Sequence, residues 1–151
     1  MSLATDSIFV AAVQSNSDLV EMVGGRIYGT AIPLPDEDLD NVPVPYVIVT
    51  FDGLNNDIGT KDDLYESQYD KVNIGIEVTG ETLKGLHDLT KMVRDTILSY
   101  FRANRTAIDD YTFTADAIQF DSLKPCYWQT LRYQCDVYNL QDDEQESTAE
   151  I

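Results

Sequence analysis

Residues 69–103, YDKVNIGIEVTGETLKGLHDLTKMVRDTILSYFRA, carry the cleanest pattern in the chain and a change of period that decides the fold. Val72, Ile74, Ile76 and Val78 alternate with Lys71, Asn73, Gly75, Glu77 and Thr79, which predicts a strand with one face in a core and the other wet. Thr79-Gly80-Glu81 then starts a helix by cap chemistry. Leu83, Leu86, Thr90, Val93, Ile97, Tyr100 and Phe101 recur at the spacing of a core-facing helical stripe. The opposite face pairs Lys84 with Asp88 and Lys91 with Asp95, each four apart, a solvated salt-bridge pattern. Asn104 and Arg105 end the helix.

Toward the N-terminus, Asp6 is expected to cap a first helix with Ile8, Phe9, Ala12 and Val13 on one stripe. Ser17 restarts or extends it through Leu19, Val20 and Val23, and Gly24-Gly25 stops it. Arg26-Ile27-Tyr28 reads as a short strand. The Pro33 to Pro45 stretch, rich in proline and acids, is a connection without regular structure. Tyr46 to Phe51 is a strand with Val47, Val49 and Phe51 on one face, followed by a mobile loop from Asp52 to Glu66. Toward the C-terminus, strands are expected over Tyr111 to Phe120 and Cys126 to Leu140. In the last, Tyr127, Gln129, Leu131, Tyr133, Cys135 and Val137 share a face.

These elements sum to an α+β domain in which a largely antiparallel sheet packs its apolar face on one long helix, with an N-terminal helical segment. One domain is expected over 1–140, and 141–151 reads as a disordered acidic tail without apolar periodicity. A chain of 151 residues, 43% of them hydrophobic, is long enough for one core and has no apolar run long enough to cross a bilayer. No basic region followed by an apolar run marks a secretory leader.

The net charge of -17 is concentrated. Asp36, Glu37, Asp38 and Asp40 lie in the Pro-rich connection. Asp52, Asp57, Asp62, Asp63 and Glu66 lie in the next loop, and Asp142, Asp143, Glu144, Glu146 and Glu150 lie in the tail. These segments hold 14 of the 27 acids with one base, Lys61, leaving 13 acids against 9 bases elsewhere. Nucleic-acid binding through a basic groove is therefore not expected, because phosphate contacts need clustered Lys and Arg. Cys126 and Cys135 are an odd number of positions apart, so their side chains leave opposite faces of a strand and do not bridge. With one histidine, His87, they also fall short of a structural zinc site.

No catalytic constellation can be nominated. Gly24-Gly25 precedes a strand, whereas phosphate-binding glycines follow one and open a helix. The oxygen-rich stretch Asp52 to Asp63 lacks the alternation and closing Glu of an EF-hand loop. His87 has no positioned nucleophile or orienting acid, and Asp62-Asp63 and Asp109-Asp110 read as turn residues. Neither an enzyme nor a cofactor or metal site is expected. The aromatics are more telling. If Tyr127 faces the helix, then Trp128, Arg132, Gln134 and Tyr138 occupy the other face. Residues of these types are enriched where protein surfaces meet, and the alternative is a strand covered by another part of the same chain.

Taken in order, Val23-Gly24-Gly25-Arg26-Ile27-Tyr28 after a helix, the entry Pro45-Tyr46-Val47, the strand and helix from Lys71 to Tyr100 and the closing strand Leu131 to Leu140 resemble the tail-completion, or tail-terminator, proteins of long-tailed bacteriophages. The resemblance spans most of residues 6–140. It implies a small structural α+β subunit of the virion, assembled in the bacterial host cytoplasm, that closes into a ring, usually a hexamer. Such a ring stops tail-tube growth and joins tail to head, with the tail-tube protein and a head-completion or connector protein as partners and no membrane. Another head–tail connector or a baseplate-associated protein is the next reading, and a cytoplasmic binding module the third. In a ring at the junction, the Asp36 to Asp40 or Asp52 to Asp63 carboxylates either line the channel, where they repel DNA phosphate, or keep the free subunit soluble.

Overall fold

The computed structural model describes residues 2–29, 43–56 and 69–138. After a 3-10 turn at Ser2–Ala4 come helix α1 (Thr5–Gln14), helix α2 (Ser17–Met22), strand β1 (Ile27–Gly29), strand β2 (Val47–Asn55), strand β3 (Tyr69–Gly80), helix α3 (Leu83–Ala103), and strands β4 (Ile108–Ala115), β5 (Gln119–Asp121) and β6 (Cys126–Tyr138). The sheet order is β1-β2-β3-β6-β4, with β5 beside the start of β6. β1 and β2 are parallel and every other pair is antiparallel, so the α+β architecture read from the periodicities is the one found.

β3 and β6 run side by side along their full lengths, from Tyr69 opposite Tyr138 to Gly80 opposite Tyr127. Their alternation directs Val72, Ile74, Ile76, Val78, Leu131, Tyr133, Cys135 and Val137 into one core, where they meet Val47 and Val49 of β2. From above, α1 contributes Phe9, Ala12 and Val13, and α3 contributes Leu86, Leu89, Val93 and Ile97. Each large apolar side chain so buried contributes about 1.5–3 kcal/mol. An aromatic nest ties the layers: the Tyr133 ring lies 5.0 Å from Phe9, 5.4 Å from Tyr111 and 5.1 Å from Phe113, and Phe101 closes the group at 5.3 Å from Phe9. Arg94 of α3 lies 4.1 Å above the Phe113 ring, a cation–π contact at the margin.

Several local expectations are corrected. Asp6 does not cap α1: the N-cap is Ala4, without a side-chain bond, and Asp6 lies buried in the first turn. Nor does Thr79 start α3. Its hydroxyl accepts from Tyr46 N (2.9 Å) and faces Tyr46 O (3.3 Å), which holds it in the β2–β3 pairing, and Thr82 caps the helix by accepting from Gly85 N at 2.9 Å. Leu83, the first helical residue, is exposed, and the buried stripe of α3 runs through Leu86, Leu89, Val93, Thr96 and Ile97. Residues 52–55 are strand, not loop, because a bulge between Phe51 and Gly53 absorbs the change of register and lets β2 continue. The single strand expected over Tyr111 to Phe120 is two. Asp116 N still bonds Thr130 O, but the Gln129 side-chain amide, not a strand N–H, donates to Asp116 O, and the ladder breaks there.

The Gly24-Gly25 stop is found as read. Both glycines have positive φ, 59° and 75°, and Gly25 N closes onto Val20 O. α2 is capped by Asn16, whose side chain accepts from Asp18 N and Leu19 N while its amide donates to Thr96 Oγ1 at 2.9 Å, pinning the α1–α2 junction to α3. Cys126 and Cys135 are both free and buried, and burial pushes the Cys135 thiol up to about 12. Among the described residues, no helix is long and apolar enough to cross a membrane.

The corner between β3 and α3 is tight, since a Cβ on Gly80 would lie 2.7 Å from Leu86 N and 2.9 Å from its Cα. Gly80→Ala is expected to cost about 1–3 kcal/mol in urea unfolding, because backbone must move to admit the methyl group. The Tyr133 hydroxyl is buried without a hydrogen-bond partner, and burial raises its pKa. Tyr133→Phe should therefore be neutral or stabilising by up to about 2 kcal/mol, since it removes an unmet polar group and keeps the ring. A loss of stability in that variant would show that the hydroxyl is satisfied in solution.

Candidate functional site

Among the described residues, the helices lie on one side of the sheet only. The other side is built from the alternate residues: Tyr28 on β1; Tyr46, Ile48 and Thr50 leading into and along β2; Lys71, Asn73, Gly75, Glu77 and Thr79 on β3; Trp128, Thr130, Arg132, Gln134, Asp136 and Tyr138 on β6; and Thr112 and Thr114 on β4. Among the described residues, no helix covers this face. Trp128, Arg132, Gln134 and Tyr138 therefore do share the side away from α3, as the alternation in β6 predicted, with Arg132 and Gln134 exposed and Trp128 and Tyr138 half-buried.

The face has two halves. Near the start of β2, Tyr46 and Ile48 form a second, smaller apolar cluster with Tyr28 and Val44, and Lys124 from the turn between β5 and β6 reaches to 5.5 Å from the Tyr46 ring. The other half is a shallow polar groove of about 440 Å³ whose lining includes Asn73, Thr112, Thr114 and Gln134. Across it lies an ionic bridge. Arg132 donates from Nε to both Asp116 oxygens at 3.0 Å, with a second guanidinium nitrogen 2.8 Å from Oδ2, and its remaining arm is 3.9 Å from Asp52 Oδ2. The hydrogen bond from Arg132 holds the Asp116 carboxyl below its ordinary range, and the same bond raises the guanidinium's own pKa.

Two backbone features make room for this bridge. The β2 bulge turns Asp52 onto the face, where Thr50 Oγ1 donates to its Oδ1 at 2.8 Å. Opposite Arg132 stands Gly75, where a Cβ would collide with the Asp52 carboxylate and lie 2.9 Å from Thr50 Oγ1. Asp52, read as part of a contact or channel loop, is thus a strand residue beside Arg132. The other acids of those clusters, Asp36, Glu37, Asp38, Asp40, Asp57, Asp62 and Asp63, lie outside the described residues. His87 is exposed on α3, on the far side of the sheet.

Two residues of the face escaped the sequence reading. Asp116 was hidden inside a presumed strand. Glu77 was one of several polar residues on a wet face, yet it stands mid-sheet between Ile48 and Thr130, half-buried, and burial raises its pKa. Gly75 was the available signal, since a lone glycine within a β-branched strand marks a close approach.

No protein-family model matches the chain, and no curated protein sequence matches it. Among solved structures, the fold is shared with a chain of a structure described as the virion of a native gene transfer agent (GTA) particle. The superposition has a TM-score of 0.56 and 13% identity, and covers 87% of this chain and 92% of the other. At that identity the likeness is one of fold.

The Asp116–Arg132 bond predicts a titration. In carboxylate-detected NMR, Asp116 should titrate below the ordinary aspartate range in the wild type and return to it in Arg132→Gln. A depressed folded-state pKa means that the pairing is complete above the unfolded-state value and is lost as pH falls through the folded value. An Asp116 titration indifferent to the substitution would remove the bridge from the solution structure.

Proposed function

We propose that this chain is a non-catalytic structural subunit of a phage-like particle, and that it acts as a tail terminator whose copies close into a ring, usually of six, at the junction of tail and head. The observation that carries the reading is the one-sided sheet: among the described residues, a face holding Trp128, Arg132, Gln134, Tyr28, Tyr46 and Tyr138 is left without a covering layer, with the residue types that subunit contacts favour. The fold shared with a chain of a gene transfer agent virion supports a particle component, and the order of elements from Val23 to Tyr138 supports the terminator role within that class.

A ring subunit needs two different complementary surfaces, because head-to-tail contacts that close make rings and those that do not make filaments. The uncovered sheet face supplies one and the helix layer supplies the other. The tail-tube protein and a head-completion or connector protein are the partners this role implies. A connector or baseplate-associated subunit with the same fold is the second reading, favoured only if the protein assembles without engaging tube protein.

Native mass spectrometry, on the protein alone and with tail-tube protein, is expected to find a closed oligomer. Trp128→Glu should weaken assembly by about 30-fold or more, the scale of a central interface anchor, while circular dichroism stays native. Gln134→Glu tests the same face from a solvent-exposed position and should weaken assembly less. Normal assembly by both variants moves the contact off this face, and wild-type protein that stays monomeric even with tube protein present refutes the ring.

A further inference from the structure

We infer that Glu77 is the charge-recognition point of the uncovered sheet face, and that it receives Arg102 and Arg105 at the C-terminal end of α3 in a second copy of this chain. The inference rests on the ring reading and deepens it by matching one surface to the other.

Glu77 is anomalous in its own subunit. It lies at the middle of the face, opposite Ile48 on one side and Thr130 on the other, with Gly75 and Thr79 along its strand. It is half-buried, yet among the described residues it makes no hydrogen bond or ion pair. A carboxylate that has lost water without gaining a partner is costly, and a second chain laid over the face would deepen that loss unless it brought a cation.

Few cations are free to do so. Arg132 is bound to Asp116, Lys91 to Asp95 at 3.3 Å, and Arg94 lies over Phe113, while Arg26 donates to Pro45 O. Lys71 is exposed without a partner among the described residues but shares the face of Glu77 and so belongs to the same surface; Lys84 and Arg102 on α3, and Arg105 just past it, are exposed without partners among the described residues. Lys84 is flanked one turn away on each side by Glu81 and Asp88. Arg102 in the last turn of α3 and Arg105 just past it are three residues apart, and their planar forks bond carboxylates in pairs and are favoured at subunit contacts, where lysine is depleted. Arg102 lies on α3, on the opposite side of the sheet from Glu77, and Arg105 lies just past α3 in a cleft with Ala107 and Tyr138 at the end of β6 remote from Glu77, so the acid and the arginines of one copy belong to separate places on the surface. Joined between copies, the two surfaces give a head-to-tail contact, the kind that closes a ring.

The test is a charge cycle on the full chain, read as assembly affinity by sedimentation and native mass spectrometry. Glu77→Gln keeps shape and should weaken assembly by about tenfold or more, the loss expected when one member of a covered charge pair is removed. Arg102→Gln with Arg105→Gln should weaken it similarly, and the triple variant should lose little more than either, which marks direct coupling. The swap of Glu77→Arg with Arg102→Glu and Arg105→Glu should recover part of the loss. Glu77→Gln that assembles as well as, or more tightly than, the wild type overturns the pairing and leaves the ring intact. Additive losses in the triple variant also overturn it. A wild-type chain that does not assemble removes the ring reading and this pairing together.

Discussion

The constraint on which the structure depends is that its core lies on one side of its sheet. Tyr133 marks the centre of that core, where rings from α1, α3, β4 and β6 meet, and the apolar residues of β3 and β6 all point toward it. Burying the helix-facing side secures the fold of a single subunit. The same alternation, by the period of two, sends every second residue of the longest strands to a side that, among the described residues, no helix covers.

How that second side is furnished separates a passive surface from a contact. A wholly solvated face would carry only small polar and charged groups. Here the polar groove is pre-ordered by Asp116, Arg132 and Asp52 over Gly75, and it adjoins an apolar cluster of Tyr28, Val44, Tyr46 and Ile48. The Asp116–Arg132 pair is partly exposed, so it contributes little to stability by itself. Its effect is geometric: it ties the break between β4 and β5 to β6 and, through Asp52, reaches the β2 bulge, which holds the groups of the groove in place.

Much of this was legible in the amino-acid sequence because it rests on period. The alternation in β3 and β6, the helical stripe of α3 and the glycine stop after α2 each follow from local rules that tertiary packing reinforced. What escaped depended on partners distant in sequence. Asp52 looked like loop because a bulge, invisible in composition, let β2 run on. Thr79 looks like a cap in sequence, but its hydroxyl is committed to the Tyr46 backbone, and the buried stripe of α3 takes Leu89 in place of Leu83 because the sheet lies toward that side of the helix. Asp116 and Arg132 met only because β4 and β6 are antiparallel neighbours, and the isolation of Glu77 is a property of the folded face alone. The acidic clusters of 36–40 and 57–63 carry charge without pattern, and no local rule assigns them a neighbour.

Contact between copies of this chain through the uncovered side of the sheet has a direct optical probe, because Trp128 is the only tryptophan and lies on that side. Acrylamide quenching of its fluorescence, compared between free subunit and assembled particle component, measures how far solvent reaches the face. Quenching should fall clearly on assembly, as a half-buried ring becomes covered. Equal quenching in the two states would contradict this and place the subunit contact elsewhere on the molecule.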